Sequence, residues 1–234
     1  MTRWYPVMLQ LEGKRCCVIG GGRVAQRKVQ GLLDAGAEVT VISPRTTAAL
    51  GTWAAQGLLR LVRRHYEQGM QEVQEAALLF AATDDEGVNA SVREEGAALG
   101  IWVNAADTRE HGDLLLPAVL RQGGLTVAVS TSGASPGLAQ LVRDEIGEWL
   151  GSGYETYLDL LLELRLTVQQ LVADTGQRQT LFRMMLDWDL QRRMRAEGGL
   201  PQPLREELLD RVRRDPSPEG IRRIGIWLAE NDYT

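Results

Sequence analysis

The stretch Arg15-Cys-Cys-Val-Ile-Gly-Gly-Gly-Arg-Val-Ala-Gln-Arg-Lys28 constrains this chain more than any other. It reads as a buried strand, a tight glycine turn and the opening of a helix. Gly20 and Gly22 stand as G-x-G, and Ala25 takes the last position of G-x-G-x-x-G/A. The first glycine permits the sharp turn, the second lets a pyrophosphate approach the backbone, and Ala25 lets helix and strand pack closely. Backbone N–H groups at the helix start then face the phosphates. Glycine turns also end strands that bind nothing, so context decides. Here an apolar run precedes the turn, a helical pattern follows, and a second strand pattern, Ala37–Ser43, arrives on schedule. The reading is dinucleotide binding, with a purely structural turn as the alternative.

The N-terminal part alternates strand and helix patterns, as a doubly wound α/β sheet requires. Strands are expected at Arg15–Gly20, Ala37–Ser43, Leu58–Arg63, Ala76–Thr83 and Ile101–Asn104. Helices are expected at Val24–Ala35, closed by Gly36, at Thr46–Gln56 and at Val88–Leu99. Leu114–Leu120 and Leu125–Ser130 flank Arg121-Gln-Gly-Gly124, a hairpin signal. A helix from Pro136 to Leu150 follows, then a hinge at Gly151-Ser-Gly153. Beyond it the pattern is helical only: Tyr154–Ala173, with Leu158, Leu161, Leu162 and Leu171 on a helical period, then Gln177–Ala196, Leu204–Arg214 and Glu219–Glu230.

Composition narrows the class. A chain of 234 residues with 44% hydrophobic and 24% charged residues can bury a sizeable core. A net charge of −5 argues against a general nucleic-acid binder. Arginine outnumbers lysine 24 to 2, spread along the chain as a coding bias would spread it. Cys16 and Cys17 are adjacent within a strand, so they point to opposite faces and read as small buried hydrophobes. No signal-peptide pattern and no run of membrane-spanning length is present, so a cytoplasmic protein without a membrane partner is expected.

Ligands of open α/β sheets lie beyond the carboxyl ends of the strands. Three such ends carry suggestive groups: the glycine turn, Ala82-Thr-Asp-Asp85 and Val103-Asn-Ala-Ala-Asp107. The acidic triplet Asp84-Asp85-Glu86 reads first as a helix N-terminus. Asp107 either caps a turn or faces a nicotinamide or substrate. The loop Ser130-Thr-Ser-Gly-Ala-Ser-Pro136 either caps the next helix, with Ser135 at N-cap and Pro136 at N1, or binds a carboxylate or phosphate. These two roles are compatible. His65 reads as a surface residue, and His111, four residues past Asp107, is a weak candidate for proton or metal handling. No metal-ligand spacing, P-loop or Ser-His-Asp arrangement is present. Arginine clusters at Arg63-Arg64, Arg192-Arg193 and Arg213-Arg214 are solvated ends or, with Arg109, the lining of a cleft for an acidic substrate.

Six motifs then occur in register: Tyr5-Pro-Val7, Val18–Lys28, Phe80-Ala-Ala-Thr-Asp-Asp85, Val103-Asn-Ala-Ala-Asp107, Leu116-Pro-Ala118 and Val127–Pro136. Together they resemble the siroheme synthase family, in its precorrin-2 dehydrogenase / sirohydrochlorin ferrochelatase module, over about residues 3–150. The resemblance implies an N-terminal Rossmann domain (1–113), a dimerisation segment (114–150) and a helical C-terminal region (151–234), assembled as a homodimer. It implies NAD as cofactor, precorrin-2, a tetrapyrrole, as substrate, and in some members Fe²⁺ insertion. It nominates Asp107 as catalytic, and Gly20, Gly22, Arg23, Val24, Pro44, Arg45 and Thr83 as cofactor contacts. Asn104, Ser130, Thr131, Ser132 and Ser135 become the substrate side.

The chain departs from that family at two places. Ser132 puts a side chain where glycine is usual, and Gly112-Asp-Leu114 replaces a Cys/Ser-Asp-Phe pattern. Both bear on metal insertion more than on dehydrogenation, which is expected to be the main activity. The second strand ends in Ser43-Pro-Arg45, which by itself suggests room for a 2′-phosphate, whereas the resemblance implies NAD. A Rossmann oxidoreductase of another small metabolite and a non-catalytic NAD-sensing module remain as alternatives. The sensing module gives no reason for the Asn104–Asp107 and Ser130–Pro136 motifs.

Overall fold

The computed structural model describes residues 4–105, 112–197 and 199–230. Its described residues fall into two compact units. The first comprises the chain up to Leu116 together with Ser130–Ser135; the second comprises Pro117–Val129 and the chain from Pro136 onward.

The first unit is a parallel sheet of β1 (Arg15–Ile19), β2 (Glu38–Ile42), β3 (Arg60–Val62), β4 (Leu78–Ala81) and β5 (Trp102–Ala105), in the order β3-β2-β1-β4-β5. Helices α1 (Arg23–Asp34), α2 (Ala48–Ala55), α3 (Gln71–Gln74) and α4 (Glu86–Leu99) connect the strands. The sheet is buried on both faces, which is why β1, β2 and β4 read as near-continuous apolar runs. Cys16, Val18, Leu78 and Phe80 face α1 and α2, with Val29 and Leu50; Cys17, Ile19, Leu79 and Val103 face α3 and α4, with Val73 and Val92. The adjacent cysteines therefore serve opposite cores, as strand alternation requires. Burial pushes their thiols up to about 11 and about 12.

The sequence reading places every strand and the three longer helices of this unit within a few residues. It misses α3, a single turn with too few residues to show a period. Gly36, just past α1, has φ +74°, the left-handed conformation that closes a helix cheaply in glycine.

In the second unit, β6 (Ala118–Gln122) and β7 (Leu125–Val129) pair antiparallel across Gly123-Gly124. Gly123 has φ +54°, as two-residue hairpin turns demand. Helix α5 (Pro136–Leu150) packs on both strands. A helical core follows from α6 (Tyr154–Leu171), α7 (Thr175–Leu186), α8 (Leu190–Glu197), α9 (Gln202–Arg214) and α10 (Pro218–Glu230).

Two expectations fail here. Gln177–Ala196 is not one helix: it breaks between α7 and α8, where Asp189 turns left-handed at φ +53°. The break seats Trp188 in the core, 6% exposed, with its indole N–H donating to the Ile221 carbonyl at 3.2 Å. No glycine or proline announces this, because burial of one aromatic ring supplies the reason. On α6 the buried stripe is Leu160, Leu164, Thr167 and Val168, while Leu162 and Leu171 are exposed. A helix with leucine on most faces offers several stripes of the right period, and its packing partners choose among them.

No described helix is long and apolar enough to cross a membrane. Replacing Trp188 by Phe removes the indole N–H and leaves a void, and is expected to cost about 2 kcal/mol in denaturant unfolding of the full chain.

Candidate functional site

Three strand ends meet at the glycine turn through backbone alone. The Gly20 N–H donates to the Ile42 carbonyl at 3.0 Å, and the Ala82 N–H donates to the Ile19 carbonyl at 2.8 Å. Gly20 sits at φ +122°, and a Cβ there would lie 2.2 Å from the Ala82 carbonyl oxygen. At Gly21 a Cβ would lie 2.1 Å from the Arg45 carbonyl oxygen and 2.7 Å from Ser43 Oγ. Gly22 differs: a Cβ added there would meet nothing within 4 Å. The first two glycines are thus required by packing, and the third opens outward.

Gly22 is also the N-cap of α1, with ordinary extended backbone and no side chain to cap the helix. The other longer helices that leave this edge of the sheet are capped internally. Thr47 accepts from the Leu50 N–H on α2, and Asp85 accepts from the Gly87 and Val88 N–H groups on α4. The acidic triplet is therefore a helix cap, as its first reading had it. Only α1 of these three leaves its first N–H groups without a side-chain acceptor, in front of open space. Arg23 and Val24 beside it are exposed.

Pro44 and Arg45 are exposed after β2, and Ser43 beneath them is buried, its hydroxyl donating to the Arg45 carbonyl at 2.6 Å. Thr83 is held from behind. The Asn89 side chain accepts from the Thr83 N–H at 3.2 Å and donates to the Thr83 carbonyl at 3.1 Å, imitating a neighbouring strand. Asn89 is 1% exposed. Gly20, Gly21, Ser43, Arg45, Ala82 and Thr83 thus form one continuous backbone surface at the strand ends.

At the end of β5, Asn104 is 4% exposed and engaged on both sides. Its Oδ1 accepts from Lys28 on α1, and its Nδ2 donates to the Leu114 carbonyl at 2.7 Å. Asn104 lies inside the protein and does not present its amide to solvent. Lys28 reaches it across Phe80, with Nζ 5.9 Å from the ring centre. Burial, with Arg27 nearby, brings the Lys28 ammonium down to about 8. Asp107, Arg109 and His111 lie outside the described residues. His65 is exposed, and among the described residues no three His, Cys, Asp or Glu side chains converge.

The Ser130–Ser135 loop belongs to the same compact unit as the sheet. Thr131 holds it: its hydroxyl accepts from the Ser135 N–H and donates to the Ser135 carbonyl, both at 3.0 Å. Ser130 Oγ accepts from the Ser132 N–H at 3.1 Å. Ser132 has φ +51° and Gly133 φ +76°, so the serine that stands where glycine is usual occupies the left-handed region that glycine favours. Ser130 and Ser132 are exposed, and Pro136 opens α5 as expected.

The model of a putative NAD(P)-binding domain matches residues 7–118, and that of the central region of sirohaem biosynthesis proteins matches residues 122–148. Precorrin-2 dehydrogenase of Priestia megaterium is 31% identical over 183 residues, covering 78% of this chain and 89% of the relative. This chain belongs to the siroheme synthase / precorrin-2 dehydrogenase family. Siroheme synthase of Methylococcus capsulatus is 38% identical over 184 residues, 79% of this chain and 38% of that protein. Siroheme synthase of Pseudomonas paraeruginosa is 35% identical over 207 residues, 88% of this chain and 44% of that protein. The chain thus spans less than half the length of the siroheme synthases it matches. A solved structure of SirC, precorrin-2 dehydrogenase, superposes with a TM-score of 0.65 at 27% identity, covering 97% of this chain and 100% of that one. The family's α/β fold, with its parallel sheet and helical C-terminal region, is the one expected from the sequence.

Within this family frame, sequence reasoning missed four supporting residues: Gly21, Lys28, Asn89 and Asp113. Gly21 and Lys28 stood in plain view inside the glycine motif. Asn89 and Asp113 act through backbone partners six and ten residues away, Thr83 and Val103, contacts that no strand or helix period announces.

The contrast between the glycines is testable. Gly20→Ala is expected to cost at least about 2 kcal/mol, from a left-handed backbone and a clash with a carbonyl. Gly22→Ala is expected to change stability by less than about 0.5 kcal/mol. It should nonetheless weaken dinucleotide binding about tenfold or more, by setting a methyl group before the helix N-terminus. Denaturant titration and calorimetric binding of NAD⁺ read the two effects.

Proposed function

We propose that the protein oxidises precorrin-2 to sirohydrochlorin in siroheme biosynthesis, with NAD as the hydride acceptor. The observation that carries this reading is the uncapped N-terminus of α1, opening at Gly22 above a floor of tightly packed Gly20 and Gly21. Such a helix end, with free N–H groups and no side chain in the way, fits a pyrophosphate. NAD supplies the chemistry of hydride acceptance; the remaining work falls to the chain.

Gly22, Arg23 and Val24 would hold the phosphates. Pro44 and Arg45 would flank the adenosine side, and Thr83, fixed by Asn89, would border the nicotinamide half. The buried Ser43 hydroxyl is spent on the Arg45 carbonyl, so it does not offer a donor to a 2′-phosphate. The exposed Arg45 side chain could still meet a 2′-phosphate, and NAD is proposed because the family resemblance implies it. Oxidation of the macrocycle releases a proton along with the hydride. Asp107 would accept that proton or orient the ring. Ser130, Ser132 and Ser135, on a loop tied by Thr131, would bind a substrate carboxylate, and Asn104 supports the site from within.

We further propose a homodimer formed through residues 114–150. On α5, Leu141 and Trp149 are 55% and 69% exposed, large apolar side chains that a second copy would cover. Among the described residues the hairpin β6–β7 pairs with no third strand, and two strands are marginal alone. A second copy would complete both.

The direct test supplies precorrin-2 and NAD⁺ and follows the absorbance of sirohydrochlorin. Asp107→Ala is expected to keep NAD affinity and lose at least about tenfold in turnover. An unchanged rate would remove Asp107 from the chemistry, and clearly higher efficiency with NADP⁺ would reverse the cofactor assignment. Given sirohydrochlorin and Fe²⁺ without oxygen, the same preparation is expected to insert metal little faster than the uncatalysed reaction. Sedimentation at micromolar concentration should give a dimer, and Trp149→Glu should give monomer.

A further inference from the structure

Lys14 and Lys28 are the two lysines in a chain with 24 arginines, so lysine at position 28 stands against the chain's own bias. The environment supplies a reason. The compact Lys28 ammonium lies over the Phe80 ring, 5.9 Å from its centre, and donates to Asn104 Oδ1 in a partly buried position between α1 and the sheet. A planar guanidinium is broader and needs several acceptors, and Asn104 offers one.

The ammonium also decides which way the Asn104 amide points. A cation demands the oxygen, so the NH₂ group must face the other way, where it donates to the Leu114 carbonyl at 2.7 Å. Turning the amide over would set NH₂ against the ammonium and oxygen against a carbonyl, two repulsions in place of two bonds. The Leu114 bond belongs to a clasp. The Val103 N–H donates to Asp113 Oδ2 at 3.0 Å, and the Val103 carbonyl accepts from the N–H groups of Asp113 at 2.9 Å and Leu114 at 3.4 Å. Asp113 and Leu114 thereby occupy the open edge of β5.

We propose that Lys28 is a positioning residue that acts through Asn104 to hold the returning chain, at Asp113–Leu114, on the end of β5. In sequence, the catalytic candidate Asp107 lies between the two clasped positions, so the clasp sets where that chain leaves and rejoins the sheet. Its effect on turnover rests on the dehydrogenase reading; its effect on the clasp does not.

The test uses the full chain with Lys28→Met, which keeps an unbranched side chain and removes the charge, together with Asn104→Ala and the double variant. Hydrogen exchange followed by mass spectrometry is expected to quicken about tenfold or more in peptides bearing Val103 and Asp113–Leu114, and to stay unchanged in β1 and β2. Turnover is expected to fall at least about fivefold with the KM for NAD⁺ unchanged. The double variant is expected to be no worse than Asn104→Ala alone, since both act on one contact. The exposed Gln30→Ala, on the same helix, should alter neither readout.

Unchanged exchange at the clasp in Lys28→Met would overturn the proposal. So would faster exchange throughout the sheet, or strictly additive losses in the double variant, which would make Lys28 a general packing residue. If the native chain fails to oxidise precorrin-2, the functional reading falls alone, and the exchange measurements still decide the role of Lys28.

Discussion

The site depends on contacts that side chains would forbid. Gly20 lies against the Ala82 carbonyl and Gly21 against the Arg45 carbonyl, each closer than any Cβ allows. These contacts draw the ends of β1, β2 and β4 into one surface, so the exit of α1 is set by the sheet and not by a loop of its own. The same closeness explains why Gly22 can remain open. Its two predecessors absorb the turn, leaving the helix to begin from ordinary extended backbone at its N-cap.

Around that surface the supports are mostly polar side chains turned inward. Asn89 pairs with the backbone of Thr83 and Asn104 with that of Leu114, each as a buried amide with its donor and acceptor used. Buried amides of this kind orient a chain end sharply, because an unsatisfied group costs more than the bond gains. Asn89 fixes Thr83 at the end of β4, Lys28 and Asn104 fix the end of β5, and the Ser43 hydroxyl holds the backbone of the exposed Arg45.

Much of this was legible in the sequence, for a physical reason. A parallel sheet buried on both faces writes its strands as short apolar runs, and glycines and caps punctuate them; Ile19, Gly36 and Asp85 each fell where expected. The helical unit was less legible. Its helices carry leucine on several faces, so α6 offered more than one plausible stripe, and Trp188 broke a helix that no local residue interrupts. Nor could spacing show that Asn104 would be buried and paired on both sides, since its partners, Lys28 and Leu114, come from other elements. The serine at position 132 was visible as an oddity. Its left-handed backbone was legible only in the sense that glycine is the residue such a turn prefers.

The cysteine pair has a practical consequence. Cys16 and Cys17 are each 1% exposed, and both lie in the sheet unit; the helical unit has none. In the native protein neither thiol is accessible to an alkylating reagent, and burial suppresses the reactive thiolate in both. Capture of label therefore times the opening of the nucleotide-binding sheet alone, with no contribution from the helices. The chain carries its own two-site clock for one half of the molecule.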